Sequence, residues 1–256
     1  MIFQGRIALV TGGSRGIGRA TVRLLAARGA AVAVNYRQDE DAAKSVVAEV
    51  VAAGGVAIAI GADVSDPEQV HAMVSQVVDE LGGLHILVNN AGIARNGLLY
   101  DMEPADWIAV MQVNFGGVFN TTKAVLDRFM AQRDGVIVNV SSVMAERGWI
   151  GQSNYAASKG AINAFTYCSA VELARFGIRV NAVLPSFSPT DLIGGLLESS
   201  GGKTLERQIP MRTLADVEQI AEAIAFLAGP GAGYITGEAM RVDGGFGAQL
   251  GAGRMS

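Results

Sequence analysis

Hydrophobic and polar positions along this 256-residue chain switch between two periods. Short apolar runs that suit buried strands alternate with longer stretches whose apolar residues recur three and four apart, the spacing of an amphipathic helix. Ile7–Val10 is the first such run, and the helical stretch Ile17–Arg28 follows it and stops at Gly29. Ala31–Tyr36, Val56–Gly61, Ile86–Val88, Val136–Val140, Ile178–Leu184 and Ala239–Val242 read as further strands. Val136–Val140 is taken as a run of the apolar and small residues that a buried parallel strand prefers. Helices are predicted over Asp39–Ala53, from Asp66-Pro67 to about Leu81, over Tyr155–Arg175 and over Val217–Ala228. A longer one covers Ala105–Gln132, with a break near Gly116-Gly117. Strands alternating with helices predict a doubly wound α/β fold of about seven parallel strands with helices on both faces. No linker or repeat divides the chain, so 1–256 is expected to be one domain.

Two stretches break the rhythm. Ser186–Thr213 is rich in Gly and Ser, with Pro185, Pro189 and Pro210 around it, and is expected to be a lid over a substrate. The tail 244–256 is Gly-rich and is expected to be flexible unless it docks on a partner.

Composition narrows the function. Half the residues are hydrophobic and 17% are charged, enough apolar content for a large core. A net charge of −4 with no basic stripe argues against nucleic acid as a partner. No apolar run reaches the length of a membrane span, and the N-terminus carries no signal-peptide pattern, so the expected location is the cytoplasm. The single cysteine, Cys168, has no intramolecular partner, and neither His71 nor His85 sits at metal-ligand spacing, so no metal site is expected.

The candidate chemistry lies at the carboxyl ends of the strands. Thr11 to Gly18 joins the first strand to the first helix, with Gly12, Gly16 and Gly18 in a G-x-x-x-G-x-G spacing and Ser14, Arg15 and Ile17 between them. Glycines allow a pyrophosphate to approach the backbone, and the helix N-terminus adds partial positive charge. A dinucleotide site selective for NAD usually has an acid at the end of the second strand. Here Asn35-Tyr36-Arg37 stands there instead. Arg37 with Arg15 would suit the 2′-phosphate of NADP(H). Tyr155 and Lys159, four apart, share a helix face. An ammonium beside a phenol is expected to lower its pKa and make it an acid/base for a carbonyl oxygen. Ser141 and Ser142 end the fifth strand, where a hydroxyl could hold the same oxygen.

Taken together, Thr11–Gly18, Asp63-Val64, Asn89-Asn90-Ala91-Gly92, Asn114, Ser142, Tyr155-x-x-x-Lys159, Pro185, Tyr234–Gly237 and Val242–Gly245 resemble the single-domain branch of the short-chain dehydrogenase/reductase family across essentially the whole chain. Within it the sequence is most similar to 3-oxoacyl-[acyl-carrier-protein] reductases. The resemblance implies a Rossmann-like fold and NADPH-dependent reduction of a ketone, with a 3-oxoacyl thioester as substrate. It implies that Asp63 and Val64 flank the adenine, and that Asn90, Ala91 and Gly92 pass beneath the adenosine ribose. Lys159 would also hold the nicotinamide ribose, and Ser188 and Thr190 would lie near the nicotinamide amide. Asn114 would hold a water that relays protons to Lys159. It further implies a homotetramer and a possible acyl carrier protein partner, for which Arg133 and Arg175 are candidate contacts. Met144, Trp149, Gln152, Phe187 and Leu192 are candidate pocket walls. One departure stands out: the family usually has Gly after the proline of Pro185, and this chain has Ser186. That leaves another carbonyl or alcohol (polyketide, sugar or steroid) as an alternative substrate, and a non-catalytic NADP(H)-binding sensor as an alternative of another class.

Overall fold

A computed structural model describes residues 1–189 and 205–249. Seven strands form one parallel sheet in the order β3-β2-β1-β4-β5-β6-β7. They are β1 (Ile7–Val10), β2 (Ala31–Tyr36), β3 (Val56–Gly61), β4 (Ile86–Asn89), β5 (Gly135–Val140), β6 (Ile178–Pro185) and β7 (Ala239–Val242). The helices between them are α1 (Gly16–Ala27), α2 (Glu40–Ala52), α3 (Pro67–Leu81), α4 (Pro104–Met111), α5 (Gly117–Gln132), α6 (Ser153–Leu173) and α7 (Val217–Ala228). The doubly wound fold expected from the alternation is the one observed.

The period-2 alternation of the strands divides the core. Ala8 and Val10 pack with Val22 and Leu25 of α1, Val46 of α2 and Ile224 of α7. Ile7 and Leu9 point the other way, to Met73 and Val77 of α3, Phe129 of α5 and Leu173 of α6. Helix ends follow local chemistry. The Asp66 carboxylate accepts the backbone N–H groups of Glu68 and Gln69 at 2.9 and 3.2 Å, Pro67 opens α3, and Gly82 closes it at φ 86°. Asp216 and Gln219 make a capping box at the start of α7.

Several expectations change. The break in the long helix is a π turn over Gln112–Gly116 that carries Asn114, and it begins four residues before the two glycines. Strand β5 is not wholly apolar: Asn139 is fully buried in it. Asn89 Nδ2 donates to Asn139 Oδ1 at 2.9 Å, Asn139 Nδ2 donates to Thr166 Oγ1 at 2.9 Å, and Thr121 Oγ1 donates to Asn89 Oδ1 at 2.6 Å. This chain of amides and hydroxyls ties α5 to α6 through β4 and β5. The start of the tail is not loose. Asp243 accepts the N–H groups of Gly245 and Gly247 at 2.9 and 2.7 Å, and Gln249 donates to Gln208 O at 2.5 Å. Residues 250–256, and residues 190–204 of the expected lid with Thr190 and Leu192, lie outside the described residues. Leu205 and Ile209, beyond that gap, are buried with Phe187 and Leu184. Among the described residues no helix is long and apolar enough to cross a membrane.

Asn139→Leu removes the middle of the buried polar chain and leaves amide and hydroxyl groups without partners. Its expected cost is about 2–3 kcal/mol, read as a lower urea midpoint with an unchanged slope.

Candidate active site

In the order of this sheet, β1 and β4 are neighbours whose following segments leave in opposite directions, which opens a crevice at their carboxyl ends. A continuous crevice of about 570 Å³ lies there. One end of it is built on the Gly-rich turn. Gly12 and Gly16 have φ of 60° and 53°, which other residues rarely adopt. The N-terminal N–H groups of α1 receive no side-chain cap from Arg15 and face a crevice that Ser14, Gly16 and Ile17 also line. Gly18 is placed differently from the expectation. It does not line the crevice: it packs behind the turn, where a Cβ would come within 2.2 Å of Gly12 O.

The turn is held from below. Thr11 Oγ1 accepts the N–H groups of Asn90 and Ala91 at 2.9 and 3.0 Å, and Asn90 Nδ2 donates to the carbonyls of Thr11 and Gly12 at 2.9 and 3.0 Å. Asn35, noted in the sequence only for not being an acid, is a buried brace. Its Oδ1 accepts Gly12 N–H at 3.2 Å while its Nδ2 donates to Ala62 O at 3.0 Å. The chain leaves the sheet here, and Tyr36, Arg37, Asp63 and Val64 line the crevice with Asn90, Ala91 and Gly92. Arg37 lies 3.7 Å from the Asp63 carboxylate, a half-exposed pair of small energetic weight. Arg15 lines the same end.

At the other end Ser142, Tyr155, Lys159, Pro185 and Ser188 line the crevice. Ser142 follows β5 and caps the short turn Val143–Ala145: its Oγ accepts Met144 N–H at 3.2 Å and donates to Pro185 O at 3.5 Å. Tyr155 lines the same stretch of the crevice as Ser142. One turn of α6 further on, Lys159 is buried, donates to Val140 O at 2.8 Å and stands 5.5 Å from the centre of the Tyr155 ring. Asn114 lies behind the wall, beside Gly92. Its Oδ1 accepts Ile93 N–H at 2.8 Å, and its Nδ2 donates to Ile93 O at 3.0 Å and to Ser158 Oγ at 3.1 Å. The side-chain amide is fully engaged there, fastening the segment after β4 to the helix that carries Tyr155.

Burial reverses the expected direction of the phenol. Desolvation pushes Tyr155 up to about 12, with the Ser142 hydroxyl working against it, and desolvation pushes Lys159 down to about 8. A low-dielectric site disfavours both charged forms. The phenol is therefore neutral at pH 7, the form that can give a proton.

Of the proposed pocket walls, Met144, Gln152 and Phe187 line the crevice. Trp149 stacks edge-on against Phe187 with centroids 5.2 Å apart and closes the apolar cluster around Phe246. Arg133 donates to Arg175 O at 2.9 Å, so these two arginines are neighbours. They precede β5 and β6, at the end of the sheet opposite the crevice.

Lys159 also makes stability depend on pH. Its folded value of about 8 lies below its usual 10.5, so between these two values the unfolded chain binds more protons. Stability of the cofactor-free protein is expected to rise with pH through that window, by at most roughly 3 kcal/mol. In Lys159→Met the rise disappears, a difference that urea titrations at pH 7.5, 8.5 and 9.5 would resolve.

Comparison with known proteins agrees with this geometry. Residues 12–247 match a family model described as enoyl-(acyl carrier protein) reductase. The 3-oxoacyl-[acyl-carrier-protein] reductase of Synechocystis is 44% identical over 244 residues, covering 95% of this chain and 97% of the relative. The corresponding enzyme of Vibrio cholerae is 43% identical over 245 residues, covering 96% and 98%. Among solved structures, a gluconate 5-dehydrogenase from Burkholderia cenocepacia in complex with NADP and tartrate superposes with a TM-score of 0.92 at 35% identity, covering 96% of this chain and 97% of that one. The matched model and the identity along nearly the full length show that this chain belongs to the short-chain dehydrogenase/reductase family.

Proposed function

We propose that this chain reduces the ketone of a 3-oxoacyl thioester to a secondary alcohol with NADPH. The observation that carries the reading is that Ser142, Tyr155 and a buried Lys159 line the same crevice as the Gly-rich turn. The relatives' names supply the substrate class, and the acyl carrier protein or coenzyme A is the carrier. We read 1–256 as one domain, since all seven strands share one sheet.

The residues fit an NADP(H) molecule. Left-handed glycines and uncapped helix N–H groups suit a pyrophosphate. Arg15 and Arg37 suit a 2′-phosphate, with Asp63 and Val64 at the adenine. Lys159 would hold the nicotinamide ribose, and Pro185 and Ser188, which line the same end, would bound the nicotinamide amide. When bound, NADPH supplies the hydride. The chain does the rest. Ser142 turns its one hydroxyl proton from Pro185 O to the ketone oxygen and holds that oxygen beside Tyr155. The Tyr155 phenol gives its proton to that oxygen as negative charge develops on it. The resulting phenolate lies beside the Lys159 ammonium, which stabilises it and, titrating near 8, can restore its proton. Asn114 keeps the segment around Gly92 and the start of α6 in register, and a water relaying protons to Lys159 belongs at its π turn.

A second reading follows from the description of the matched family model: reduction of the enoyl double bond. Tyr155 and Ser142 together at one end of the crevice, as two hydroxyls that could serve one carbonyl oxygen, favour the ketone. Acetoacetyl-CoA and crotonyl-CoA offered in parallel with NADPH decide between them, and turnover of crotonyl-CoA alone overturns the proposal. Gluconate-like keto acids belong in the same panel, given the dehydrogenase of similar structure.

We also propose a homotetramer. Phe115, Phe119 and Phe165 form an aromatic cluster on the outer face of α5 and α6, with Phe119 half-exposed. The Arg133–Arg175 corner is where an acidic carrier would rest.

Tyr155→Phe should lower kcat by at least a hundredfold while NADPH binding, followed by fluorescence, stays within about twofold. Arg37→Ala should weaken NADPH about tenfold or more and leave NADH nearly unchanged. Equal effects on the two cofactors would remove Arg37 from the 2′-phosphate site.

A further inference from the structure

Two hydroxyls in the crevice wall have nothing to bond to. Ser186 Oγ and Ser188 Oγ are enclosed, and neither has a hydrogen-bond partner, although both residues line the crevice. The one comparable atom among the described residues, Asn163 Oδ1, belongs to α6 and not to this wall. Leaving a buried hydroxyl unpaired costs about 1–3 kcal/mol, and native proteins leave few of them. Two of them in the wall of one ligand crevice point to ligand atoms as the missing partners.

The two serines are not equivalent. Ser188 lies further along the segment, at the nicotinamide amide of the proposed cofactor site. Ser186 directly follows β6 and is fixed from two sides: its N–H donates to Val242 O at 3.2 Å, and the carbonyl of the preceding Pro185 accepts the Ser142 hydroxyl at 3.5 Å. The peptide that carries Ser186 therefore runs next to the serine proposed to hold the ketone oxygen, and Ser186 lines the same crevice. With the backbone fixed, rotation about χ1 is the freedom left to the hydroxyl, and the staggered positions are close in energy. A 3-oxoacyl thioester carries a second oxygen, on the thioester carbon two positions from the ketone carbon.

We propose that the Ser186 hydroxyl donates a hydrogen bond to the thioester oxygen, and so selects ketones that carry a second oxygen near the reacting one. This rests on the 3-oxoacyl reading above. Ser186 is then a positioning residue: it takes no proton and forms no bond, and it sets how the acyl group lies while Tyr155 acts. It also ranks substrates, because a ketone without the second oxygen leaves the hydroxyl buried and unpaired.

The test compares acetoacetyl-CoA with S-(3-oxobutyl)-CoA, in which the thioester carbonyl is replaced by CH2, on the wild type and on Ser186→Ala. Any difference in the intrinsic reactivity of the two ketones is common to both proteins and cancels in the cycle. Ser186→Ala is expected to lower kcat/KM for acetoacetyl-CoA about 5- to 20-fold, with the thioether analogue changed less than about twofold and the NADPH Kd unchanged. If the analogue turns over too slowly, its Ki against acetoacetyl-CoA carries the comparison. Equal losses on both compounds, no loss on either, or a weaker NADPH Kd would each overturn the assignment. Failure of the wild type to reduce acetoacetyl-CoA is a separate result, seen before any variant is made, and it overturns the 3-oxoacyl reading and this proposal with it.

Discussion

A lysine ammonium taken out of water must be held by the fold around it, and much of this structure meets that requirement for Lys159. Among the described residues its hydrogen bond goes to a single acceptor, the carbonyl of Val140 at the last position of β5. That carbonyl can be aimed at the amine only if the strand stops there and α6 lies across its end. The strand stops because Ser141 and Ser142 turn away, Ser141 donating to Lys159 O at 3.1 Å and Ser142 capping the turn that follows. The helix lies across because Asn139 of β5 bonds Thr166 of α6 two turns further on. The acid and the amine are thus two consequences of one docking geometry between a strand end and a helix.

The crevice gains its chemistry from the same dryness that makes it costly. Exclusion of water keeps the phenol protonated and brings the amine near neutrality, so a proton donor and its source of replenishment share one face of one helix. Spacing along a sequence shows that two side chains meet. It does not show how much solvent they lose, which is why the direction of the tyrosine's shift could not be read before the fold was known.

The strands and helices were legible because each carries its own period, down to Asp66 and Pro67 opening α3 and Gly82 closing it. The crevice residues were legible through their concentration at the carboxyl ends of strands: Gly12, Arg37, Asn90, Ser142, Tyr155 and Lys159 come from five separate segments and converge. What stayed hidden were roles fixed by partners distant in sequence. Asn35 looks like a missing acid until its amide is seen beneath Gly12. Asn139 disappears in an apolar run because its partners, Asn89 and Thr166, lie 50 residues before it and 27 after it. Gly18 and Asn114 sit at motif positions yet act from behind the wall, through packing and backbone bonds.

The π turn at Gln112–Gly116 fixes the length of the chain at this point. A π turn is an α-helix carrying one surplus residue, and the widened turn absorbs it, so α4 and α5 keep the register of one continuous helix. Losing one residue here would close the turn to regular winding and leave Thr121 facing Asn89. What would go is the local widening that presents Asn114 to Ile93 and Ser158. A deletion in the regular winding of α5 would instead swing the side chains beyond it by about 100°. The turn is therefore the place where the count of residues serves the site and not the fold.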